Sequence, residues 1–284
     1  MSVRARGRGD PILAVAAGLA TVVLLSFVLL PVAAIFLRTS PARLIAQLHS
    51  KVALDALGVS LRTTIIALAA ILMLGTPAAY VLATRTKRWT VVMTTLLELP
   101  LVLPPAVAGL GLLVAFGRNG LLGRPLRALG LAIPFSETAV ILALVFVSLP
   151  FFLRQAVASF GAVDPVLLAA SRTLGVGAAG TFFRVALPIA RPGLSAGAGL
   201  AWARALGEFG ATLMFAGSLQ GRTQTLPVAI FAELAQDFDV AVSISALLVA
   251  VSAGLLVAAK LLLRERPLWA DTWTGISSSS SVAA

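Results

Sequence analysis

Cysteine is absent from this 284-residue chain, and charged residues make up only 12% of it. Without cysteine the chain has no disulfide bonds and no thiol nucleophile. Its one histidine, His49, has no cluster of His or Cys residues around it, so the sequence indicates neither a metal site nor an intramembrane enzyme. The lysines Lys51, Lys87 and Lys260 all lack a preceding glycine, which excludes a Walker A phosphate loop.

Apolar residues dominate in place of charge. Hydrophobic residues make up 59% of the chain and the mean hydropathy is +1.01, values typical of an integral membrane protein. A bilayer core of about 30 Å takes roughly 20 helical residues, and each span must be a helix because hydrocarbon offers its backbone no hydrogen-bond partner. Six segments meet this length, and the predicted spans are residues 12–37, 59–83, 90–116, 138–160, 193–217 and 240–263.

These spans predict one all-α membrane domain over residues 12–263. It lies between an N-terminal segment, residues 1–11, and a disordered tail, residues 264–284, that contains the serine run Ser277–Ser281. The first apolar run exceeds the roughly 7–15 residues of a signal-peptide core, so it is predicted to be a retained span.

The positive charge is explained by its placement along the chain. A net charge of +11 would suggest a nucleic-acid partner for a soluble protein, but this sequence supplies no base-reading element. With the N-terminus inside, the inner segments carry more Lys and Arg than the outer ones, which predicts that both termini are cytoplasmic. Residues 161–192 are then cytoplasmic, and the outer connections (residues 39–58, 118–137 and 218–239) are surfaces that could dock a soluble partner.

Two ionisable residues occur near the centre of the fifth span. Arg204 and Glu208 are four residues apart, so they share one helix face and can pair. Burying such groups in a membrane costs on the order of 3 kcal/mol each, which makes them functional candidates. A structural ion pair that fixes helix packing remains the alternative. Gly207, in a row with Ala203 and Ala211, predicts close packing of this span.

Glu98 is the other acid inside a predicted span. It precedes Pro100, Pro104 and Pro105, which remove backbone donors and predict a bend of the kind found around cavities. The third and fifth spans are therefore the candidates for a transport pathway. A proton-coupled secondary transporter could use Glu98 and Glu208 as proton carriers, and this alternative stays open.

The cytoplasmic segment 161–192 predicts a short helix beside the membrane. Asp164 suits the N-cap, Pro165 the first helical position and Gly175 the position just after the end, giving about ten residues. Leu167 and Leu174 recur on one face with Ala170. The run Gly175–Gly180 matches a dinucleotide-binding glycine pattern, but no strand precedes it, so that interpretation is rejected.

The spacing of this segment resembles the EAA loop of ABC importer permeases. Ala169-Ala170-Ser171, three residues, Gly175, nine residues and then Val185-Ala186-Leu187-Pro188 follow the family's pattern, although the family's glutamate is Ala169 here and its second alanine is Ser171. Residues 204–212 (RALGEFGAT) and 221–227 (GRTQTLP) resemble the molybdate permeases within that group. The resemblance covers nearly the whole chain.

This resemblance implies a type I ABC importer transmembrane fold, with six transmembrane helices and a cytoplasmic coupling helix between spans four and five. It also implies a homodimer of permease subunits, a pair of ATPase subunits that bind ATP and Mg, and an extracytoplasmic substrate-binding protein. The chain itself would be non-catalytic and hold no cofactor. Sulfate, thiosulfate or tungstate are the alternative substrates to molybdate.

The candidate site residues fall into two groups, of which the first is carried over from the resemblance and the second follows from the charges, prolines and small residues inside the predicted spans. The ATPase-coupling group is Ala169, Ala170, Ser171, Arg172 and Gly175, with Leu187 and Pro188 ending the loop. The pathway or packing candidates are Glu98, Pro104, Arg204, Gly207 and Glu208.

Overall fold

A computed structural model describes residues 11–38, 42, 44, 46, 49–85 and 88–262. Over these residues the chain forms helices joined by turns, with no strand. The helices are α1 (Pro11–Arg38), α2 (Lys51–Thr84), α3 (Arg88–Glu98), α4 (Pro105–Phe116), α5 (Gly123–Ala128), α6 (Glu137–Gly161), α7 (Pro165–Thr173), α8 (Ala178–Thr181), α9 (Leu187–Leu206), α10 (Gly210–Ala216), α11 (Leu226–Leu234) and α12 (Phe238–Leu262), with a 3-10 turn at Leu99–Leu101 and a π turn at Phe182–Ala186. The predicted N-terminal segment and tail lie outside the described residues, apart from Pro11.

Helix α6 is the centre of the fold and packs against α2, α4, α9 and α10. It begins where the Ser136 hydroxyl accepts a hydrogen bond from the Ala139 N–H at 3.3 Å, a serine N-cap. One half of α6 contributes Leu144 and Val147 to a core shared with α4 and α10, and the other half contributes Phe152 and Phe160 to a core shared with α2 and α9.

Glycines let α2 and α9 approach α6 closely. A Cβ on Gly75 of α2 would lie 2.9 Å from the Phe152 ring, and one on Gly197 of α9 would lie 3.3 Å from it. The Phe152 ring is fully buried between them. Small residues at such contacts allow membrane helices to gain dispersion energy from close packing.

Four helices among the described residues are long and apolar enough to cross a membrane, namely α1, α2, α6 and α12. The pair α3–α4, with its 3-10 turn, is a fifth candidate that bends by 110° at its break. Helix α1 contacts α12, and its apolar stretch is not buried at all by the rest of the described chain.

The structure differs from the predicted spans in the second and fifth. Helix α2 begins at Lys51 rather than residue 59, because the Ser50 hydroxyl caps it by accepting from the Ala53 N–H. The predicted span 193–217 is not one helix: α9 ends at Leu206 and α10 begins at Gly210. Glycine at 207 weakens the helix there, and the carboxylate of Glu208 accepts a hydrogen bond from the Ala211 N–H.

The predicted loop 161–192 is also shorter than expected. Helical structure resumes at Ala178 and runs through the π turn into α9, so Leu187 and Pro188 lie within this segment instead of ending a loop. In the π turn the Leu187 N–H bonds the carbonyl of Phe182, five residues back. Such a widened turn is one of the local backbone adjustments that accommodate a proline, here Pro188.

Candidate functional sites: an exposed short helix and two broken spans

Helix α7 is defined by signals at both ends. Asp164 Oδ1 accepts a hydrogen bond from the Val166 N–H at 2.8 Å, and Pro165 is the first helical residue. At the other end Gly175 has φ +80° and the Val176 N–H bonds the Ser171 carbonyl at 3.1 Å, which is a Schellman ending. The helix has nine residues where about ten are predicted.

One face of α7 is attached to the rest of the protein. The Ser171 hydroxyl lies 3.1 Å from the Thr181 hydroxyl of α8, and both side chains are buried. Leu168, three residues before Ser171, packs against the core that contains Phe152 and Phe160. Ser171 therefore anchors the helix, a role that its place in the loop pattern did not reveal.

The opposite face of α7 is apolar and exposed. Val166, Leu167 and Leu174 are 68%, 47% and 83% exposed, and Ala169 and Ala170 lie exposed beside them. Burying a Val or Leu side chain gains about 1.5–3 kcal/mol, so this face is suited to a protein partner. Ala169, where the resembled loop has an acid, extends the apolar strip along the helix.

Of the other predicted coupling residues, Arg172 and Gly175 are exposed with α7. Leu187 packs against the same core as Phe160, and Pro188 is exposed on α9. The structure therefore places five of these residues on or directly after α7 and the other two in the following helical segment.

The third span is broken at its prolines, as the sequence predicts. Helix α3 ends at Glu98, a 3-10 turn follows, and Pro104 precedes α4 in an extended conformation. The Glu98 carboxylate accepts two hydrogen bonds from Arg154 of α6, at 3.1 Å from Nε and 3.0 Å from Nη2. This bidentate contact fixes the end of α3 to the central helix.

The segment predicted as the fifth span is broken at Glu208. Its carboxylate is 1% exposed, lies 2.5 Å from Arg204 Nη2, and accepts a hydrogen bond from the Ala211 N–H at 2.7 Å. The predicted Arg204–Glu208 pair is therefore present, but it joins the end of α9 to the start of α10 across the turn at Gly207. The buried charge is paired and hydrogen-bonded, as such a position requires.

The two breaks lie against each other. A Cβ on Gly109 of α4 would lie 2.6 Å from the Ala211 carbonyl oxygen, and one on Gly210 would lie 3.0 Å from Pro105 Cβ. We call this contact between the starts of α4 and α10 the break junction. Pro104 and Gly207 are exposed beside it.

Among the residues that the structure describes, no group of three or more His, Asp or Glu side chains could hold a metal ion. Glu98 and Glu208 are instead each paired with an arginine.

Comparison with known proteins identifies a family that this chain matches. Residues 71–264 match the model of a family described as the binding-protein-dependent transport system inner membrane component. The chain is 45% identical over 230 residues to the molybdenum transport system permease protein ModB of Mycobacterium tuberculosis, covering 80% of this chain and 86% of that protein. It is 34% identical over 246 residues to the probable transport system permease protein NifC of Clostridium pasteurianum, covering 86% of each.

Solved structures show the same fold at lower identity. A chain of a bacterial alginate ABC transporter, solved in complex with an alginate-bound periplasmic protein, superposes with a TM-score of 0.72 at 15% identity, covering 89% of this chain and 94% of that one. A chain of the MetNI methionine ABC transporter in inward-facing conformations gives 0.61 at 18% identity, covering 75% and 95%.

Proposed function

The chain belongs to the family of binding-protein-dependent transport system inner membrane components, and on that basis we propose that it is the permease subunit of an ATP-driven ABC importer for molybdate in the cytoplasmic membrane. The observation that carries this proposal is the identity to the mycobacterial molybdenum permease, which extends over most of both chains. Sulfate, thiosulfate and tungstate resemble molybdate in shape and charge, but the relatives named for molybdenum favour molybdate.

The proposed permease crosses the membrane six times. Five spans are α1, α2, the bent pair α3–α4, α6 and α12, and we assign the sixth to α9 with α10. Broken helices of this kind are tolerated where the irregular backbone is buried in protein or lines a cavity. The positive-inside pattern supports cytoplasmic termini and places α7 on the cytoplasmic side.

We assign energy coupling to α7. Its exposed apolar face, formed by Val166, Leu167, Ala170 and Leu174, would dock into an ATPase subunit that binds ATP and Mg, while Ser171 holds the helix to α8. Motion of the ATPase pair would then move α7 together with the helical segment that leads into α9. Two permease chains and two ATPase chains would form the transporter.

We assign the pathway to the break junction. Arg204 is partly exposed there while Glu208 is buried, so the arginine offers a weak positive potential without an isolated charge. Weak attraction suits a pathway, since a permease that bound an oxyanion tightly would not release it. The other pathway candidates, Glu98, Pro104 and Gly207, would shape the two breaks.

A proton-coupled transporter is less well supported. Glu98 and Glu208, the proposed proton carriers, are each held by an arginine, so protonation of either would break an ion pair.

Uptake by reconstituted vesicles distinguishes the two mechanisms. We expect molybdate uptake by the chain with its ATPase and binding protein to require internal ATP and to survive a protonophore. Uptake that is driven by a pH gradient without ATP would contradict the proposal.

A further inference from the structure

A groove between α2, α9 and α12 has no part in the proposed transport mechanism. It measures about 480 Å³, and its lining includes Leu68 and Leu72 of α2, Leu194 and Trp202 of α9 and Leu255 of α12. Because its walls are mostly apolar, the groove offers an oxyanion few hydrogen-bond donors. It is suited to a ligand that consists mainly of hydrocarbon.

One positive charge accompanies these apolar walls. Among the described residues that line the groove, Arg191 of α9 alone is charged. Its side chain is exposed, and none of the ion pairs found in the described part of the chain includes it. The hydroxyl of Ser195, one turn further along, is already used, since it donates to the Arg191 carbonyl at 2.8 Å. The arginine is therefore available to an anionic group.

The length of the groove matches one leaflet of a bilayer. Arg191 lies in the second turn of α9, and Trp202 follows it by eleven residues on the same helix. At about 1.5 Å per residue, the lining of α9 extends about 16 Å between them. A hydrocarbon core of about 30 Å gives about 15 Å for each leaflet. An acyl chain of one leaflet would therefore fit along the groove, with the cation at the end of α9 that joins the π turn.

The groove lies on the other side of α9 from the proposed pathway. With 3.6 residues per turn, Arg191, Ser195 and Trp202 fall within about 40° of one another around the helix. Leu200, which is 53% exposed, and Gly207 are turned away from Trp202 by about 140–160°. A ligand in the groove would therefore leave the break junction and the exposed face of α9 free.

We propose that this groove binds an anionic phospholipid of the cytoplasmic leaflet, with its phosphate at Arg191 and one acyl chain along α9 as far as Trp202. Basic pockets between membrane helices on the cytoplasmic side are typical sites for anionic headgroups, and an arginine adds hydrogen bonds to its charge when it meets a phosphate. The inference goes beyond the proposed function. It uses from that proposal only the orientation that places α7, and with it the start of α9, on the cytoplasmic side.

The test is native mass spectrometry of the delipidated chain assembled with its ATPase, with phosphatidylglycerol as the anionic probe and phosphatidylethanolamine as the zwitterionic one. We expect saturable binding that favours phosphatidylglycerol. Arg191→Gln should weaken phosphatidylglycerol binding about fivefold, the effect of one arginine near an anionic headgroup, and should weaken phosphatidylethanolamine binding less. Arg85→Gln, which removes an exposed arginine outside the groove at the inner end of α2, is the matched control and should leave both affinities unchanged.

A second variant tests the acyl-chain part of the site while Arg191 stays in place. Gly199 lines the groove, and a Cβ there would have nothing within 4 Å, so the side chain of Gly199→Leu would extend into open space. It should weaken binding of both lipids about tenfold or more, because it excludes several methylene groups from the groove. Gly58→Leu, at an exposed position of α2 with equally open space, is its control and should leave both affinities unchanged.

Three results would overturn the inference. The first is equal binding of the two lipids by the unmodified complex. The second is phosphatidylglycerol binding that neither Arg191→Gln nor Gly199→Leu weakens. The third is a disulfide between two permease chains through Ser195→Cys, which would show that a second copy covers the groove. Lipid binding is measured without transport, so failure of the proposed function, seen as absent ATP-dependent molybdate uptake, is a separate result.

Discussion

The Arg204–Glu208 pair offers a way to separate a pathway role from a structural one. In Arg204→Met the carboxylate of Glu208, 1% exposed, loses its cation and keeps only the Ala211 N–H. Removing one partner of a buried pair costs about 3–5 kcal/mol, which for a protein of this size lowers the melting temperature by on the order of 10 °C.

The double variant Arg204→Met/Glu208→Gln restores neutrality. The glutamine oxygen can still accept from the Ala211 N–H, and the methionine preserves the apolar stem of Arg204, so most of the lost stability should return. If Arg204 also meets the oxyanion, molybdate uptake should stay low in this stable double variant. The assay pairs thermal unfolding of the assembled complex with uptake in vesicles. Recovery of uptake in parallel with stability would refute the pathway role and leave a structural pair.

Three further predictions concern the contacts around the sites. Gly109→Ala should destabilise the assembled chain by about 1–3 kcal/mol, because its Cβ would lie 2.6 Å from a backbone oxygen of α10. The control Gly111→Ala, whose Cβ would have nothing within 4 Å, should be neutral or slightly stabilising. Equal shifts in melting temperature for the two variants would contradict the break junction. Ser171→Ala should lower the free energy of unfolding by about 1 kcal/mol, because the buried Thr181 hydroxyl on α8 loses its hydrogen-bond partner. Amide hydrogen exchange should rise more in α7 than in α6. Unchanged exchange in α7 would argue against Ser171 as its anchor. Glu98→Gln should lower the melting temperature of the assembled complex much less than Arg204→Met does, because the partner arginine Arg154 is 67% exposed; an equal loss would contradict this ranking.

The two ends of α7 were among the features best predicted from sequence. Asp164 and Gly175 each act through atoms within a few residues, so their positions in the chain suffice to place the start and end of α7. The bend of the third span follows in the same way from Pro100, Pro104 and Pro105, since a missing N–H interrupts a helix wherever proline occurs. The family resemblance also came from residues close together in the chain.

Two of the features missed depend on contacts between residues distant in the chain, and one depends on a local hydrogen bond. Arg154 lies 56 positions from Glu98, so no helical spacing indicates their pairing. The break at Gly207 has no proline; it depends on the Glu208 carboxylate turning to the Ala211 N–H, which competes with a regular helix face. Residues 223–225, predicted as part of an outer connection, are buried, because the Ser60 hydroxyl bonds the Leu226 N–H and holds the start of α11 against α2.

The apolar strip on α7 shows why solvent exposure has to be seen in a structure. The sequence places Leu167, Ala170 and Leu174 on one face, and such a face would ordinarily pack into the protein's own core. The structure instead buries Ser171 and partly buries Leu168, which leaves the apolar strip exposed. This arrangement also explains why alanine at position 169 is compatible with the apolar strip: a small apolar residue continues the strip, whereas an acid would interrupt it.

The most direct test of α7 as the site that receives ATP-driven motion is site-specific crosslinking. The chain has no cysteine of its own, so a single introduced cysteine is the only site in it that a thiol-specific crosslinker can react with. Leu174→Cys, at a position 83% exposed, should crosslink to the ATPase subunit in the assembled complex, and the crosslink should block molybdate uptake. Ser171→Cys, buried against α8, should not crosslink. Crosslinking from position 171 but not 174, or uptake that continues unchanged with position 174 fully crosslinked, would contradict this role for α7.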